Sequence, residues 1–293
     1  MSRIGFIGLG VMGRPMAENL LADGHELVVS SRSPEPVAAL EAAGATAAAT
    51  PAEAVRGADV AITMLPDGAA VAAVTEGEDG ILAAAVPGTL LIEMSTIAPA
   101  QARELAARGA ERGLAVLDAP VSGGDVGARS ASLSIMVGGA AADFERALPL
   151  LAAMGSTVTR VGEAGAGQVV KAANQVLVAL TIEGVAEALT LAESAGIASA
   201  TVLDVLGSGL AANRVMEVRR QHFVDHAFAP GFRVDLHRKD LGIALDAAAE
   251  AGVTLPATPV VAGLLDRLRE EGRGGEDHTA LLAAVEALAT ECG

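Results

Sequence analysis

Arg3-Ile4-Gly5-Phe6-Ile7 is a short apolar run, and Gly8-Leu9-Gly10-Val11-Met12-Gly13 follows it without a gap. This junction restricts the fold more than any other feature of the chain. Helical spacing from Arg14 to Ala22 closes at Asp23-Gly24, and Glu26-Leu27-Val28-Val29-Ser30 reads as a second strand. A GxGxxG pattern alone is a weak signal in a chain with 34 glycines. Set between the strand and helix of a first βαβ unit, it is a strong one. The first glycine makes the tight turn, the second admits a pyrophosphate to the backbone, and the third packs helix on strand. Gly8, Gly10, Val11, Met12 and Gly13 are therefore expected to hold a dinucleotide at a helix N-terminus.

The end of the second strand bears on which dinucleotide. An NAD site usually offers Asp or Glu about 20 residues beyond the glycines, for the ribose hydroxyls. Here the chain reads Ser30-Ser31-Arg32-Ser33, with no carboxylate. Arg32 can pair with a 2′-phosphate, and Ser31 and Ser33 can donate to it. The expectation is NADP(H) preferred, with NAD(H) possible.

Further strands are expected at Val60–Leu65, Thr89–Met94, Leu114–Asp118, Leu133–Val137 and Thr157–Val161, most of them separated by helical segments. Such alternation implies an α/β fold with a doubly wound, mainly parallel sheet and ligands at the carboxyl ends of its strands. The loops there include Leu65-Pro66-Asp67, Ser95-Thr96 and Val121-Ser122-Gly123-Gly124. The last offers a hydroxyl and accessible N–H groups, a plausible carboxylate cradle.

From Gly165 to Ala195 the spacing predicts one long helix, apolar around nearly all its circumference. Helices are expected to follow near 198–206, 239–251, 258–271 and 278–290. The reading is thus two domains: a dinucleotide-binding domain over 1–163 and an all-helical substrate and oligomerisation domain over 164–293. So long an apolar helix needs more cover than about 100 further residues supply, which predicts a homodimer or homotetramer. Near its start, Gln168, Lys171 and Gln175 share one stripe, with Asn174 adjacent. An isolated lysine there would be expected to snorkel. Three polar neighbours instead suggest an ammonium held near a nicotinamide in a cleft, partly desolvated toward the range of a general acid.

The bulk numbers exclude other classes. A net charge of -16 argues against nucleic acid, which needs a basic surface. The single cysteine, Cys292, leaves no disulfide framework, as fits a reducing cytoplasm. No charged n-region followed by an apolar h-region opens the chain. Charges are expected to interrupt each apolar stretch before the ~20 residues of a membrane span. With no Tyr, a catalytic tyrosine is impossible.

Taken together, GFIGLGVMG, MLP, EMSTIAP, DAPVSGG, GAGQVVKAANQ, PGFRVDLHRKDL and EDHTAL resemble the β-hydroxyacid dehydrogenase family, in order and along essentially the whole chain. The similarity is greatest to the branch that reduces tartronate semialdehyde. The resemblance implies a Rossmann domain, a long interdomain helix and an all-helical domain. It implies metal-free interconversion of short β-hydroxy acids and semialdehydes. It makes Lys171 the general acid, with Asn174 or Gln175 as its partner. Ser122, Gly123 and Gly124 would hold the substrate carboxylate, Phe232 would wall the pocket, and Lys239 and Asp240 would close it. Met64, Leu65, Pro66 and Thr96 would line the nicotinamide side, with Lys239 also near the cofactor. Imine reductases share the architecture but typically replace the lysine.

His222 and His226, spaced i, i+4, could ligate a metal, but without a recognised third ligand none is expected. His237 is expected to be structural rather than a catalytic base. A cofactor-binding sensor or scaffold on the same fold would usually carry an added domain or lack the lysine.

Overall fold

The computed structural model describes residues 1–291; Cys292 lies outside the described residues. The chain divides into two compact units, Met1–Lys171 and the remainder from Ala172.

The first unit is built on a sheet of β1 (Arg3–Ile7), β2 (Glu26–Ser30), β3 (Thr46–Ala47), β4 (Val60–Thr63), β5 (Leu90–Glu93), β6 (Ala115–Asp118), β7 (Val121–Ser122), β8 (Ser134–Gly138) and β9 (Thr157–Gly162). Their lateral order is β3-β2-β1-β4-β5-β6-β8-β7, with β9 against β8. Strands β4 and β5 are buried at every residue, the pattern of a parallel sheet covered by helices on both faces. The two-residue period divides them between two cores. Leu90 and Ile92 pack in one with Ile4 and Phe6, while Leu91 packs in the other with Ile7 and Ala61.

One feature of this sheet departs from the sequence reading: the two-residue strands β3 and β7, which carry too few side chains to show a period. The sheet is mainly parallel, as expected, with a reversal on one side: β8 runs antiparallel to β6 and β7, and β9 follows β8 in parallel. The reversal places Gly138, the last residue of β8, opposite Asp118, the last of β6.

The long helix covers Ala166–Ser194. Its mean hydropathy reaches 1.5 over 18 residues, so by length and composition alone it could cross a membrane. Lys171, Glu183, Glu187 and Glu193 interrupt it, so its uncharged runs end well before ~20 residues, as the sequence reading expects.

In the second unit, helices Ser199–Gly207, Arg214–Asp225, Val234–Glu250, Thr258–Glu270 and Leu281–Glu291 surround a core that includes Ile182, Phe223, Leu241 and Leu265. Helix Arg214–Asp225 has no counterpart in the sequence reading. Only Met216 and Phe223 on it are buried, too thin a stripe to register as a period. Helix Val234–Glu250 begins five residues before the expected Lys239, bringing His237 onto it. Residues His278–Ala280 form a 3₁₀ turn before the last helix.

Candidate functional site

Within the first unit the glycine turn has the geometry its spacing implies. Gly8 has φ +98°, and a Cβ there would stand 2.3 Å from the Met64 carbonyl oxygen. A Cβ on Gly13 would lie 1.9 Å from the Gly8 carbonyl oxygen, so helix and strand meet backbone to backbone. Around Gly10, by contrast, a Cβ would meet nothing within 4 Å. A turn closed at its first and third glycines and open at its second fits a pyrophosphate. Val11 and Met12 complete the turn, and helix Gly13–Ala22 starts directly after them.

Ser31, Arg32 and Ser33 follow the end of β2, with Arg32 and Ser33 exposed. Ser33 precedes helix Pro34–Ala42 without a side-chain capping bond to it. After β4 come Met64, Leu65 and Pro66, and the Leu65 N–H donates to Ser95 Oγ at 2.8 Å. Thr96 follows β5, and Ser122 ends β7. Gly123 and Gly124 have φ of +133° and +63°. A Cβ on Gly123 would press to 3.2 Å from Leu133 Cδ2, so larger residues there strain the loop itself.

A buried polar network joins these strand ends. Glu93, fully buried at the end of β5, accepts from Thr63 Oγ1 at 2.5 Å and from the Ser95 N–H at 2.7 Å. Burial pushes its carboxyl up to about 7, against the hydrogen bonds from Ser95 and Thr63. Asp118, ending β6, accepts from the N–H groups of Gly165 at 2.7 Å and Gln168 at 3.0 Å. Burial raises its carboxyl too, and those donors oppose the shift. Gln168 is 1% exposed; its amide donates to the Ser95 carbonyl at 2.8 Å and accepts from the Ile97 N–H at 3.1 Å. One turn on, Lys171 is 6% exposed. A snorkelling lysine keeps its head in water; at 6% exposure little of this residue reaches it.

In the second unit, the Gln175 amide donates to Asp240 Oδ2 at 2.7 Å. That bond fixes the amide's orientation, so Gln175 Oε1 accepts from Asn174 Nδ2 at 2.8 Å. Asp240 is 2% exposed, and its other oxygen pairs with the Lys239 ammonium at 3.1 Å without accepting a hydrogen bond among the described residues. Phe232 lies edge-on to His237 and His278, with ring centroids at 5.6 and 5.4 Å.

His237 is fully buried, its Nε2 3.1 Å from the Gln175 carbonyl oxygen and its Nδ1 2.9 Å from Nδ1 of His278. A carbonyl only accepts, so Nε2 carries the hydrogen and Nδ1 accepts from His278. Burial, then the neighbouring His237, holds His278 well below the usual histidine range. Asp277 beneath it accepts from the N–H groups of Gly231, Phe232 and Thr279 and from the Thr279 hydroxyl. Burial works to raise Asp277, but His278, the Phe232 N–H, Arg219 and Thr279 bring it down to about 2. With His278 held neutral, the direction rests on the Phe232 N–H, the Arg219 guanidinium and Thr279.

His222 and His226 do not act as a pair. Helix Arg214–Asp225 ends in a left-handed His226, at φ +49°. His222 turns to Asp277 and Thr279, while His226 meets Glu286 at 2.8 Å. Among the described residues, the His and carboxylate side chains close enough to share an ion are Glu193, His226 and Glu286, none of them fully buried.

Comparison with known proteins places these features. Residues 3–162 match the family described as the NAD binding domain of 6-phosphogluconate dehydrogenase. Residues 165–285 match that described as NAD-binding of NADP-dependent 3-hydroxyisobutyrate dehydrogenase. The chain is 41% identical over 287 residues to 2-hydroxy-3-oxopropionate reductase of Escherichia coli (strain K12), covering 98% of each. The chain belongs to the β-hydroxyacid dehydrogenase family. This dehydrogenase is also 42% identical over 267 residues to 3-hydroxyisobutyrate dehydrogenase of Pseudomonas aeruginosa, covering 89% of each. Its fold matches the solved Mycobacterium tuberculosis 3-hydroxyisobutyrate dehydrogenase with L-serine at a TM-score of 0.88 and 36% identity, over 97% of this chain and 99% of the other. It is an oxidoreductase with an NAD(P)-binding domain.

Several polar residues of the dehydrogenase escaped the sequence reading: Glu93, Asp118, Asp277 and His278. The available signal for the first two was a carboxylate closing an apolar strand, where a parallel sheet buries what it holds. Asp277 and His278 carried none beyond their place in the EDHTAL motif.

Proposed function

We propose that this dehydrogenase reduces a short carboxylate-bearing semialdehyde, tartronate semialdehyde to glycerate, with NADPH preferred over NADH. The observation that carries the reading is Lys171, buried to 6% exposure one helical turn beyond a glutamine bonded to the strand ends. The bound nicotinamide supplies the hydride. As it reaches the carbonyl carbon, charge grows on oxygen, and Lys171 Nζ gives that oxygen a proton. Asn174 and Gln175 orient the acid's surroundings on the next turn of the same helix. Ser122 with the N–H groups of Gly123 and Gly124 holds the substrate carboxylate. Asp240 Oδ1, carrying an ion pair with Lys239 but no hydrogen bond among the described residues, can accept from a substrate hydroxyl. Phe232 walls the pocket, and Lys239 also meets the cofactor. The glycine turn holds the pyrophosphate, and Met64, Leu65, Pro66 and Thr96 line the nicotinamide. No metal is invoked. In this reading 1–163 binds the cofactor and 164–293 serves substrate and assembly, in a cytoplasmic homodimer or homotetramer.

Similarity to the E. coli reductase over nearly all of both chains supports tartronate semialdehyde. Similarity to 3-hydroxyisobutyrate dehydrogenases favours methylmalonate semialdehyde as the second reading. The test is NADPH oxidation against tartronate, methylmalonate and succinic semialdehydes and glyoxylate, with NADH alongside. The highest kcat/KM should fall on tartronate semialdehyde; a clear maximum on another member overturns the assignment.

A further inference from the structure

Lys171 lies on the second turn of the long helix, and the first turn of that helix is held in an unusual way. Asp118 receives the N–H groups of Gly165 and Gln168, two donors that a helix start otherwise leaves without partners. The carboxylate is supplied by the end of β6, not by the residues just before the helix. It can reach only because the backbones nearly touch. A Cβ on Gly138 would lie 2.4 Å from Asp118 Oδ1, and one on Gly167 2.4 Å from the Met136 carbonyl oxygen. Gln168 adds a second attachment with both ends of its amide, one to the Ser95 carbonyl and one to the Ile97 N–H. Ser95 is bonded in turn to the loop after β4, through the Leu65 N–H.

An N-cap alone would satisfy the orphan donors and leave the helix free to rotate about its first turn. A capping carboxylate and a two-armed amide on different strand ends remove that freedom. We infer that Gln168 is a positioning residue: with Asp118 it fixes the azimuth of the helix, and so the place of the Lys171 ammonium. This rests on the reading of Lys171 as the acid, and its consequence is kinetic. Misplacing a catalytic group by about 1 Å can cost about 100-fold, whereas losing a cap alone costs stability.

Gln168→Met keeps length and apolar volume and removes both amide bonds. The expected result is a kcat reduced roughly 10- to 100-fold, a smaller change in the NADPH KM, and a displaced alkaline limb in the pH profile of kcat/KM. The decisive measurement is the cycle with Lys171→Met. If Gln168 acts through the lysine, adding Gln168→Met to Lys171→Met costs little further turnover. Equal losses in both backgrounds, an unchanged single variant, or a rise in NADPH KM as large as the fall in kcat would each overturn the positioning role. Near-normal turnover in Lys171→Met alone would sink the acid reading itself, and this inference with it. Should Gln168→Met not fold, Gln168→Glu, which keeps the acceptor for Ile97, enters the same cycle.

Discussion

Arg32 stands exposed just beyond β2, between two serines in a segment, residues 30–33, that holds no carboxylate. A guanidinium presents paired donors that match phosphate oxygens, while a bare ribose offers it far less. Arg32→Ala should therefore raise the Michaelis constant for NADPH roughly tenfold or more, as for loss of a charge-assisted bond of about 1.5–3 kcal/mol. The constant for NADH should move much less. Equal responses in steady-state kinetics would mean that Arg32 does not select the cofactor. Lys171 teaches a related lesson. Its polar neighbours could be counted along the chain, but its burial could not, and burial separates an acid from a snorkelling surface residue.

Strand β5 ends in a carboxyl that burial pushes up to about 7 from an ordinary 4.5. Between those values the folded state keeps a proton that the unfolded chain has released. Stability is thus fully present below about 4.5, falls as pH rises to about 7, and stays lower above it. The span corresponds to roughly 3 kcal/mol at most. Glu93→Gln can still accept from the Ser95 N–H and donate to Thr63, so it should gain stability on the wild type as pH rises from 5 to 8. Thermal midpoints that stay parallel across that range would show that Glu93 does not titrate there. Such a network was hidden in the sequence because it depends on register: Thr63 is opposite Glu93 only because β4 and β5 pair as they do. The glycine turn, in contrast, was legible because one continuous segment holds all of its chemistry. So was the long helix, whose apolar run needs no partner to be seen. Helix Arg214–Asp225 was not, since its few buried side chains acquire meaning only against the core they touch.

As a single chain, the molecule leaves Leu177 at 67% and Leu191 at 74% exposure along its long helix, with Val169 at 50%. Association of copies would take such side chains out of water. On the same helix burial, then Glu187, raises the Glu183 carboxyl to about 7, so this element carries less charge than its acids imply. Sedimentation at low protein concentration should accordingly give a dimer or larger species. A stable, active monomer would show that these side chains tolerate water. Which larger species forms was never in the sequence, because the symmetry of an assembly depends on the shape of the whole surface.

The interval between Gln168 and Lys171 is best understood as a phase. Each helical residue advances the side-chain direction by about 100°, so the three steps from amide to ammonium set a bearing as well as a distance. Adding one residue before Gly165 would leave that bearing intact, with the slack taken up in the turn after β9. Adding one residue just after Gln168 would preserve every bond of the attachment and swing the ammonium about 100° around the helix. Two chains of equal length and identical composition would then differ only in where a proton points.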